Sequence, residues 1–308
     1  MDRFDALQAF VRVVEAGSFT KAAQTLQISK TTVTQLIQQL EARLRVKLLN
    51  RTTRQVSVTP DGAAYYERAV RLLADLEDAD TSLSTASTSP RGRLRVDVPS
   101  PFALRILVPA LPTFYARYPD IQLHIGVSDR MVDVIGDNVD CVLRGGELTD
   151  SSLQARRVGE LRLGVYAAPG YLEQAGTPMH PGELQDTHHR IVGFLGASSG
   201  KVAAVTMQRE GESISVRGRY LAALDDGNAY LAAGLAGVGV LWLPHYMARE
   251  YVARGELVPV LESWRLDPMP MYVVYPPNRH VSMKLRVFID WVGELMERHV
   301  SRLPLHHP

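Results

Sequence analysis

Apolar side chains recur at three- and four-residue spacing through the first 44 residues, and two short breaks divide them into three stripes. The first stripe predicts an amphipathic helix that ends near Gly17, and Ser18 and Ser29 are each suited to cap a further helix. The residues expected to face inward are Phe4, Leu7, Phe10, Val11 and Val14 in the first helix, Ala22, Ala23 and Leu26 in the second, and Val33, Ile37, Leu40 and Leu44 in the third. The chain is therefore expected to begin with short helices joined by tight turns.

The third predicted helix carries an uncharged polar face. Thr31, Gln35 and Gln38 lie opposite the apolar stripe on a helical wheel, and Thr34 lies on its flank. Short hydroxyls and amides hydrogen-bond to base edges, and the threonine methyl contacts the methyl of thymine. A surface that serves only solubility more often carries Glu and Lys. Composition alone leaves both interpretations open, a base-reading face and a merely polar face.

A basic hairpin follows over the segment LLNRTTRQVSVTP, residues 48–60. Val56 and Val58 alternate with polar residues, as in a half-exposed strand. Arg51 and Arg54 lie at or near the turn, where long cationic side chains reach phosphates or a narrow minor groove. Arginines on a hairpin are often only solvated, but beside a candidate recognition helix we favour DNA contact.

The charge distribution agrees with a local nucleic-acid surface, although the net charge is only +1. Residues 1–60 hold nine Lys/Arg and four Asp/Glu, whereas residues 61–90 hold two and six. Cys141 is the only cysteine, so no intramolecular disulfide can form and a reducing compartment is expected. The sequence has neither a signal-peptide pattern nor an apolar run of about 18 residues. We therefore expect a soluble, cytoplasmic protein with no membrane partner.

The segment FVRVVEAGSFTKAAQTLQISKTTVTQLIQQLEARLRVKLLNRTTRQVSVTPDG resembles the winged helix-turn-helix of LysR-type transcriptional regulators, a bacterial family. The positions that match the family pattern are Gly17, Ser18, Phe19, Ala22, Ala23, Ser29, Val33, Ile37, Leu40, Glu41, Leu48, Arg51, Arg54, Thr59 and Gly62. With this resemblance, the residues expected to contact double-stranded DNA are Lys30, Thr31, Thr32, Thr34, Gln35, Gln38, Arg51 and Arg54.

Three positions depart from the family pattern. Lys30 stands where the family usually has Gln and adds a charge at the start of the recognition helix, so operator preference cannot be taken over from relatives. Arg45 replaces a glycine whose place in the pattern suggests a special backbone angle, which predicts strain. Leu49 stands where the family has Phe.

A helix with heptad spacing is predicted after Pro60. Its apolar seam is Tyr65, Ala69, Leu72, Leu76, Ala79 and Leu83. Packing of this seam against its own domain is an alternative, but the resemblance favours a dimerisation helix in a homodimer or homotetramer that binds a near-palindromic operator. The Ser/Thr-rich segment 81–92 then predicts a joint.

Short β-like runs alternate with helical ones from Arg93 onward, which predicts an α/β fold with a mostly parallel sheet. The predicted helices include 101–117, 129–138, 226–235 and 282–297. The resemblance implies two α/β subdomains like those of a periplasmic binding protein. The predicted organisation is a winged helix-turn-helix in 1–59, a linker helix and joint in 60–90, and an effector-binding domain in 91–303, with subdomain I in 91–163 and 266–303 and subdomain II in 164–265.

Several strand-to-helix junctions supply candidates for an effector site, because ligands of open α/β folds bind at the carboxyl ends of strands. The candidates are Ser100, Ser128, Arg144, Phe194 and Asp226. The resemblance implies that such residues contact a small-molecule effector, and Arg144 would suit a carboxylate. Each could equally be a plain helix cap.

No catalytic constellation is readable in the sequence. GASSGKV at 196–202 lacks the first glycine and the Ser/Thr of a phosphate-binding loop, and no cysteine cluster supports a metal. We expect no enzyme activity, no metal and no cofactor. The favoured function is an effector-sensing transcriptional regulator with RNA polymerase as an implied partner. A small-molecule binding or transport receptor is the second hypothesis, and an α/β enzyme is the third.

Overall fold

The computed structural model contains two compact units, residues 1–88 and 89–308. It describes residues 3–51, 56–83, 89–132, 134, 139–146, 153–185, 188–197, 199–277 and 281–301.

The first unit consists of three short helices, a two-stranded wing and a long helix. Its elements are α1 (Arg3–Ala16), α2 (Phe19–Leu26), α3 (Lys30–Leu44), β1 (Leu49–Arg51), β2 (Val56–Val58) and α4 (Pro60–Leu83). Both predicted caps are confirmed, because the Ser18 hydroxyl accepts the Lys21 N–H at 3.4 Å and the Ser29 hydroxyl accepts the Thr32 N–H at 3.0 Å.

The core of the first unit forms where α1, α2 and α3 pack together. Phe10 is fully buried at its centre and lies 5.7 Å from the ring of Tyr65 on α4. The predicted stripe of α3 is confirmed at Val33, Ile37 and Leu40, whereas Leu44 is only partly buried. Leu36 and Glu41 are also buried, because α1 and the start of the wing cover a wider side of α3 than its apolar stripe.

The predicted seam of α4 divides into two parts. Ala69 is 1% exposed within the core of the first unit, and Tyr65 packs against the same core. Ala69 therefore packs against its own domain, as the alternative interpretation predicts. Its assignment to a dimer seam was wrong, because Ala69 has no surface left for a partner. Leu72 and Leu76 remain exposed, at 56% and 36%. The side chains of Ala79 and Leu83, and residues 84–88 of the predicted joint, lie outside the described residues.

The second unit begins with a β-sheet and a long helical segment. Its first strands are β3 (Gly92–Val98), β4 (Ile121–Val127), β5 (Cys141–Gly145) and β6 (Gln154–Leu161). Between β3 and β4, α5 (Ser100–Phe102), a π-helical stretch (Ala103–Leu107) and α6 (Val108–Arg117) follow one another without a break. This confirms the helix predicted over 101–117.

The middle of the second unit contains eight named strands and three named α-helices. They are β7 (Leu163–Ala167), α7 (Pro169–Ala175), β8 (Ile191–Phe194), β9 (Val205–Arg209), β10 (Glu212–Val216), β11 (Tyr220–Leu224), α8 (Gly227–Leu235), β12 (Leu241–Pro244), α9 (His245–Ala253), β13 (Val258–Val260) and β14 (Arg265–Leu266). The chain ends with β15 (Met269–Tyr275) and α10 (Met283–Ser301).

Strand pairing is more mixed than the sequence predicts. The five-stranded sheet has the order β4-β3-β5-β15-β6, in which β3 is parallel to β4 and β5, and β15 is antiparallel to both neighbours. Among the strands from β7 to β14 only β8 and β11 form a parallel pair, so a mostly parallel sheet was the wrong prediction there. Glu210 and Gly211, both with positive φ, turn β9 back antiparallel onto β10, as in a type I′ hairpin.

The helix predicted over 129–138 is absent from the described part of that segment. Asp129 and Arg130 form a bend, Met131 and Val132 are irregular, and residues 133 and 135–138 lie outside the described residues. The physical reason is that Asp129 uses its carboxylate to bind backbone N–H groups elsewhere in the fold. The helices predicted over 226–235 and 282–297 are confirmed as α8 and α10.

Arg45 ends α3 in the left-handed region, with φ 55°. Glycine populates this region without steric cost, so we expect Arg45→Gly to stabilise the first unit by about 0.5–1 kcal/mol. Arg43→Gly removes the same charge from a helical position of α3 and should destabilise by about 0.5–1 kcal/mol. Urea unfolding followed by far-UV circular dichroism measures both. A midpoint lowered by Arg45→Gly as well would contradict the strain argument.

Candidate DNA-binding surface and ligand cleft

The polar face of α3 is exposed as the sequence predicts. Lys30, Thr31, Gln35 and Gln38 are all exposed, and the side chains of Thr31, Gln35 and Gln38 make no hydrogen bond to another described residue. Their hydroxyl and amide groups are therefore available to a ligand that runs along α3.

Two of the predicted DNA contacts serve the helix itself. The Thr32 hydroxyl lies 2.8 Å from the Ser29 hydroxyl within the amino-terminal cap. The Thr34 hydroxyl donates to the carbonyl of Lys30 at 2.9 Å. Both side chains are partly buried, so α3 presents fewer free polar groups than its sequence suggests.

The wing begins directly after α3. Leu49 pairs with Val58 and Arg51 with Val56 in an antiparallel ladder. The backbone of Arg51 thus lies in β1, but its side chain, Arg54 and the tip of the wing lie outside the described residues.

Glu41 is a buried carboxylate that joins α3 to the wing. It is 4% exposed, and its Oε1 accepts the backbone N–H of Leu48 at 2.9 Å and of Leu49 at 3.2 Å. The ammonium of Lys47 donates to Oε2 at 3.2 Å. Burial alone would raise the pKa of Glu41, but these three donors outweigh it and lower the pKa below its ordinary value of 4.5. The carboxylate stays ionised and fixes where β1 starts relative to α3.

The start of α4 is attached to the same strand. The Thr59 hydroxyl donates to the carbonyl of Lys47 at 2.7 Å and accepts the N–H of Gly62 at 2.9 Å. A Cβ on Gly62 would lie 2.0 Å from the carbonyl oxygen of Leu48, so only glycine fits there. α3, the wing and α4 are therefore held by one connected set of hydrogen bonds. Sequence reasoning matched Glu41, Thr59 and Gly62 to the family pattern but assigned them no role.

In the second unit, Ser100, Asn228 and Arg105 form a chain of hydrogen bonds. The Asn228 amide donates to the Ser100 hydroxyl at 2.6 Å, and Arg105 donates to the Asn228 carbonyl oxygen at 2.6 Å. Ser100 begins α5 and Asn228 lies in the first turn of α8, so these hydrogen bonds join two predicted strand-to-helix junctions. Arg105 is a residue that the sequence did not single out.

Arg144 is committed to partners within the chain. Its guanidinium donates to the Asp97 carboxylate at 2.7 Å and to the carbonyls of Leu143 at 2.9 Å and Arg130 at 3.1 Å. A longer contact of 3.5 Å reaches the carbonyl of Ser128. The guanidinium and its partner carboxylate are mostly buried, so Arg144 holds the 128–130 segment against β5 and presents no uncompensated cation.

The remaining effector candidates lie at strand ends. The Ser128 hydroxyl accepts the N–H of Arg130 at 3.0 Å, and Asp226 caps α8 by accepting the N–H of Ala229 at 2.8 Å. The Asp226 carboxylate is therefore a helix cap, which is one of the two interpretations that the sequence allows. The ring of Phe194 lies 5.2 Å from that of Tyr230, edge to face.

Asp129 connects these junctions and was missed as a site residue. Its carboxylate accepts the N–H of Ser100 at 2.9 Å and the N–H of Gly227 at 2.6 Å. Burial raises the pKa of Asp129, and the two N–H donors only partly offset this. In the sequence, Asp129 is an acidic residue two positions after β4, and the helix predicted over 129–138 makes it the first helical residue.

Within the described residues, no group of three or more His, Cys, Asp or Glu side chains is placed to hold a metal ion. No described helix is both long enough and apolar enough to span a membrane.

A winged helix-turn-helix whose third helix exposes an uncharged polar face, followed in the chain by an α/β unit, is the architecture of a class of DNA-binding regulators. Residues 4–63 match the model of the bacterial regulatory helix-turn-helix protein, lysR family, and residues 87–297 match that of the LysR substrate binding domain. The chain belongs to the LysR family of transcriptional regulators. Members are non-enzymatic DNA-binding proteins, so the receptor and enzyme hypotheses are set aside.

Individual relatives agree over nearly the whole chain. An HTH-type transcriptional repressor of Pseudomonas aeruginosa is 38% identical over 295 residues, which cover 96% of this chain and 92% of that protein. The solved structure of CrgA, a LysR-type regulator from Neisseria meningitidis, has a TM-score of 0.58 and 35% identity over 95% of this chain and 98% of that one. The full-length Vibrio cholerae virulence activator AphB has a TM-score of 0.56 and 31% identity over 95% and 98%.

Glu41 gives the first unit a testable pH dependence. Gln resembles the protonated acid, so Glu41→Gln should destabilise at pH 7 by about 1–2 kcal/mol through loss of charge-assisted hydrogen bonds. Because the folded pKa is lowered, the carboxylate's contribution is complete above the ordinary value of 4.5 and is lost as pH falls through the folded pKa. The difference between wild type and variant should therefore shrink over that range.

Thermal unfolding by far-UV circular dichroism at a series of pH values measures this difference. Trp242, Trp264 and Trp291 all lie in the second unit, so unchanged tryptophan emission assigns the effect to the first. Glu67→Gln, on the exposed side of α4, is the matched control and should have no effect. A difference that does not depend on pH would rule out an ionised Glu41.

Proposed function

We propose that this regulator reads double-stranded DNA with the exposed face of α3 and senses a small molecule in its second unit, thereby changing transcription of its target genes. The main support for DNA binding by α3 is the exposed face formed by Thr31, Gln35 and Gln38. Their donors and acceptors are unused within the described chain. Such groups are suited to base edges in a major groove, where amides recognise adenine and threonine contacts thymine.

The wing and charge distribution support a backbone-binding role beside α3. Residues 1–60 carry the excess of Lys and Arg, and the Glu41 contacts fix where the basic wing begins. Lys30 stands at the exposed amino terminus of α3, and Arg51 and Arg54 belong to the wing. We assign these cations to phosphates or the minor groove, contacts that position a protein on DNA without specifying sequence.

The double variant Thr31→Ala with Gln35→Ala tests base reading. We expect the ratio of operator to scrambled-duplex affinity to fall by about tenfold or more, since each lost base contact is worth about 1–3 kcal/mol. Fluorescence anisotropy with an operator recovered by in vitro selection measures the ratio. The matched control is Gln24→Ala with Thr25→Ala, which removes the same residue types from the exposed side of α2. This variant should leave the affinity ratio unchanged. An unchanged affinity ratio in the α3 variant would mean that this face of α3 is polar but does not read bases.

A homodimer or homotetramer is the second part of the proposal. Leu72 and Leu76 lie one helical turn apart on α4 and are exposed, whereas Ala69 and Leu73 pack against the core of the first unit. Exposed leucines at heptad spacing suit a helix pair, and two recognition helices would match a near-palindromic operator.

Leu72→Glu with Leu76→Glu should dissociate this assembly, because paired seams would then bury like charges. Sedimentation velocity is expected to show the mass of a single chain. Ala63→Glu with Ala64→Glu adds the same two charges to exposed positions of α4 off the seam and should keep the assembled mass. If the seam variant sediments like the wild-type chain, these leucines do not join subunits.

The effector site is proposed at the junctions of Ser100, Ser128, Arg144, Phe194 and Asp226, together with Asn228 and Arg105. Support comes from the hydrogen bonds that bring the Ser100 and Asn228 junctions together. Arg144 is already neutralised by Asp97, so a carboxylate effector would depend on backbone N–H groups and not on this cation. An effector must bind one arrangement of the assembly better than another to regulate it.

The predicted domain boundaries at 59/60 and 90/91, the two subdomains, a cytoplasmic location and contact with RNA polymerase complete the proposal. The DNA-binding role of the family supports the cytoplasmic location and the contact with RNA polymerase. The proposed subdomain I is supported by the five-stranded sheet, which the chain leaves after β6 and re-enters at β15, and the proposed subdomain II by the separate sheets formed from β7 to β14.

A further inference from the structure

One carboxylate in the second unit holds two helix amino termini. Asp129 Oδ1 lies 2.9 Å from the backbone nitrogen of Ser100, and Oδ2 lies 2.6 Å from that of Gly227. Both nitrogens are in the first turn of a helix, where N–H groups have no partner inside the helix. Asp129 therefore supplies the hydrogen-bond acceptor that each of these N–H groups lacks.

The two helices belong to different parts of the unit. Ser100 follows β3 of the five-stranded sheet, whereas Gly227 follows β11, which pairs only with β8 among the named strands. Asp129 itself follows β4, next to β3. Its two oxygens thus bridge elements that are more than 120 residues apart in the chain.

The surrounding contacts are tight. A Cβ on Gly227 would lie 2.5 Å from Pro101 Cγ and 3.2 Å from Asp129 Oδ2, so the helix termini approach as closely as glycine permits. The Asn228 amide adds its bond to Ser100, and on the surface Arg130 forms an ion pair with Asp225 at 2.8 Å. An exposed ion pair of this kind contributes little to stability, whereas the partly buried Asp129 carboxylate accepts two backbone N–H groups.

We propose that Asp129 is an internal latch: its carboxylate occupies the position between the two helix termini and keeps the β3 and β11 junctions together. Two converging N–H groups form an anion-binding geometry, and the chain's own side chain fills it. A ligand that separates these junctions must first release Asp129. This regulatory consequence rests on the proposed effector site, whereas the latch itself rests only on the contacts of Asp129 with Ser100 and Gly227.

Chemical rescue tests the latch on the full-length protein without DNA or effector. Asp129→Ala leaves space for a free carboxylate, so hydrogen–deuterium exchange of peptides containing Ser100 and Gly227 should accelerate by about tenfold or more. Sodium acetate, compared with sodium chloride at equal ionic strength, should restore protection in this variant. Acetate should do nothing in wild type, whose position is filled, or in Asp129→Asn, whose amide blocks it.

Asp225→Ala is the matched control, because it removes a neighbouring carboxylate from the exposed ion pair and should leave exchange of both peptides unchanged. Equal acetate effects on all variants, or no rescue of Asp129→Ala, would overturn the latch. Fast exchange of both amides in the wild-type chain would overturn it without any variant. Because no outcome depends on DNA or effector binding, failure of the proposed function would appear separately.

Discussion

The first unit depends on a carboxylate that is almost fully removed from water. A buried anion is unfavourable unless donors surround it, and Glu41 is surrounded by two backbone N–H groups and Lys47. These donors belong to Lys47, Leu48 and Leu49, where the chain passes from α3 into β1, so satisfying the charge fixes where β1 starts relative to α3. Thr59 and Gly62 then attach α4 to the same backbone. This single network positions α3, the start of the wing and α4 relative to one another.

In the second unit the same principle acts across a larger distance in sequence. The parallel pairs β3/β4 and β8/β11 direct strand ends toward helix amino termini, and Asp129 neutralises two of those termini at once. Arg144 and Asp97 compensate each other nearby. Polar groups at these strand ends are thus satisfied internally, and a ligand has to compete with contacts that already exist.

Local patterns predicted the elements well and the long-range contacts poorly. Stripe spacing and serine caps located α1 to α3, because helix periodicity and capping are local properties. The burial of Glu41 depends on the backbone of Leu48 and Leu49, and the bend at Asp129 depends on Gly227, nearly a hundred residues away. No periodicity within a segment encodes such partners. Ala69 illustrates the same limit, since heptad spacing does not distinguish a neighbouring helix in the same unit from one in a partner subunit.

The most direct measurement is fluorescence-anisotropy binding of the wild-type protein to the DNA upstream of its own gene and to a scrambled duplex, at two salt concentrations. If α3 reads bases, the native duplex binds more tightly at both salt concentrations, and the preference persists when phosphate contacts are screened. Equal affinities that fall steeply together with salt would show a basic surface without sequence recognition at that site. The same result with a duplex recovered by in vitro selection would contradict the role assigned to Thr31, Gln35 and Gln38.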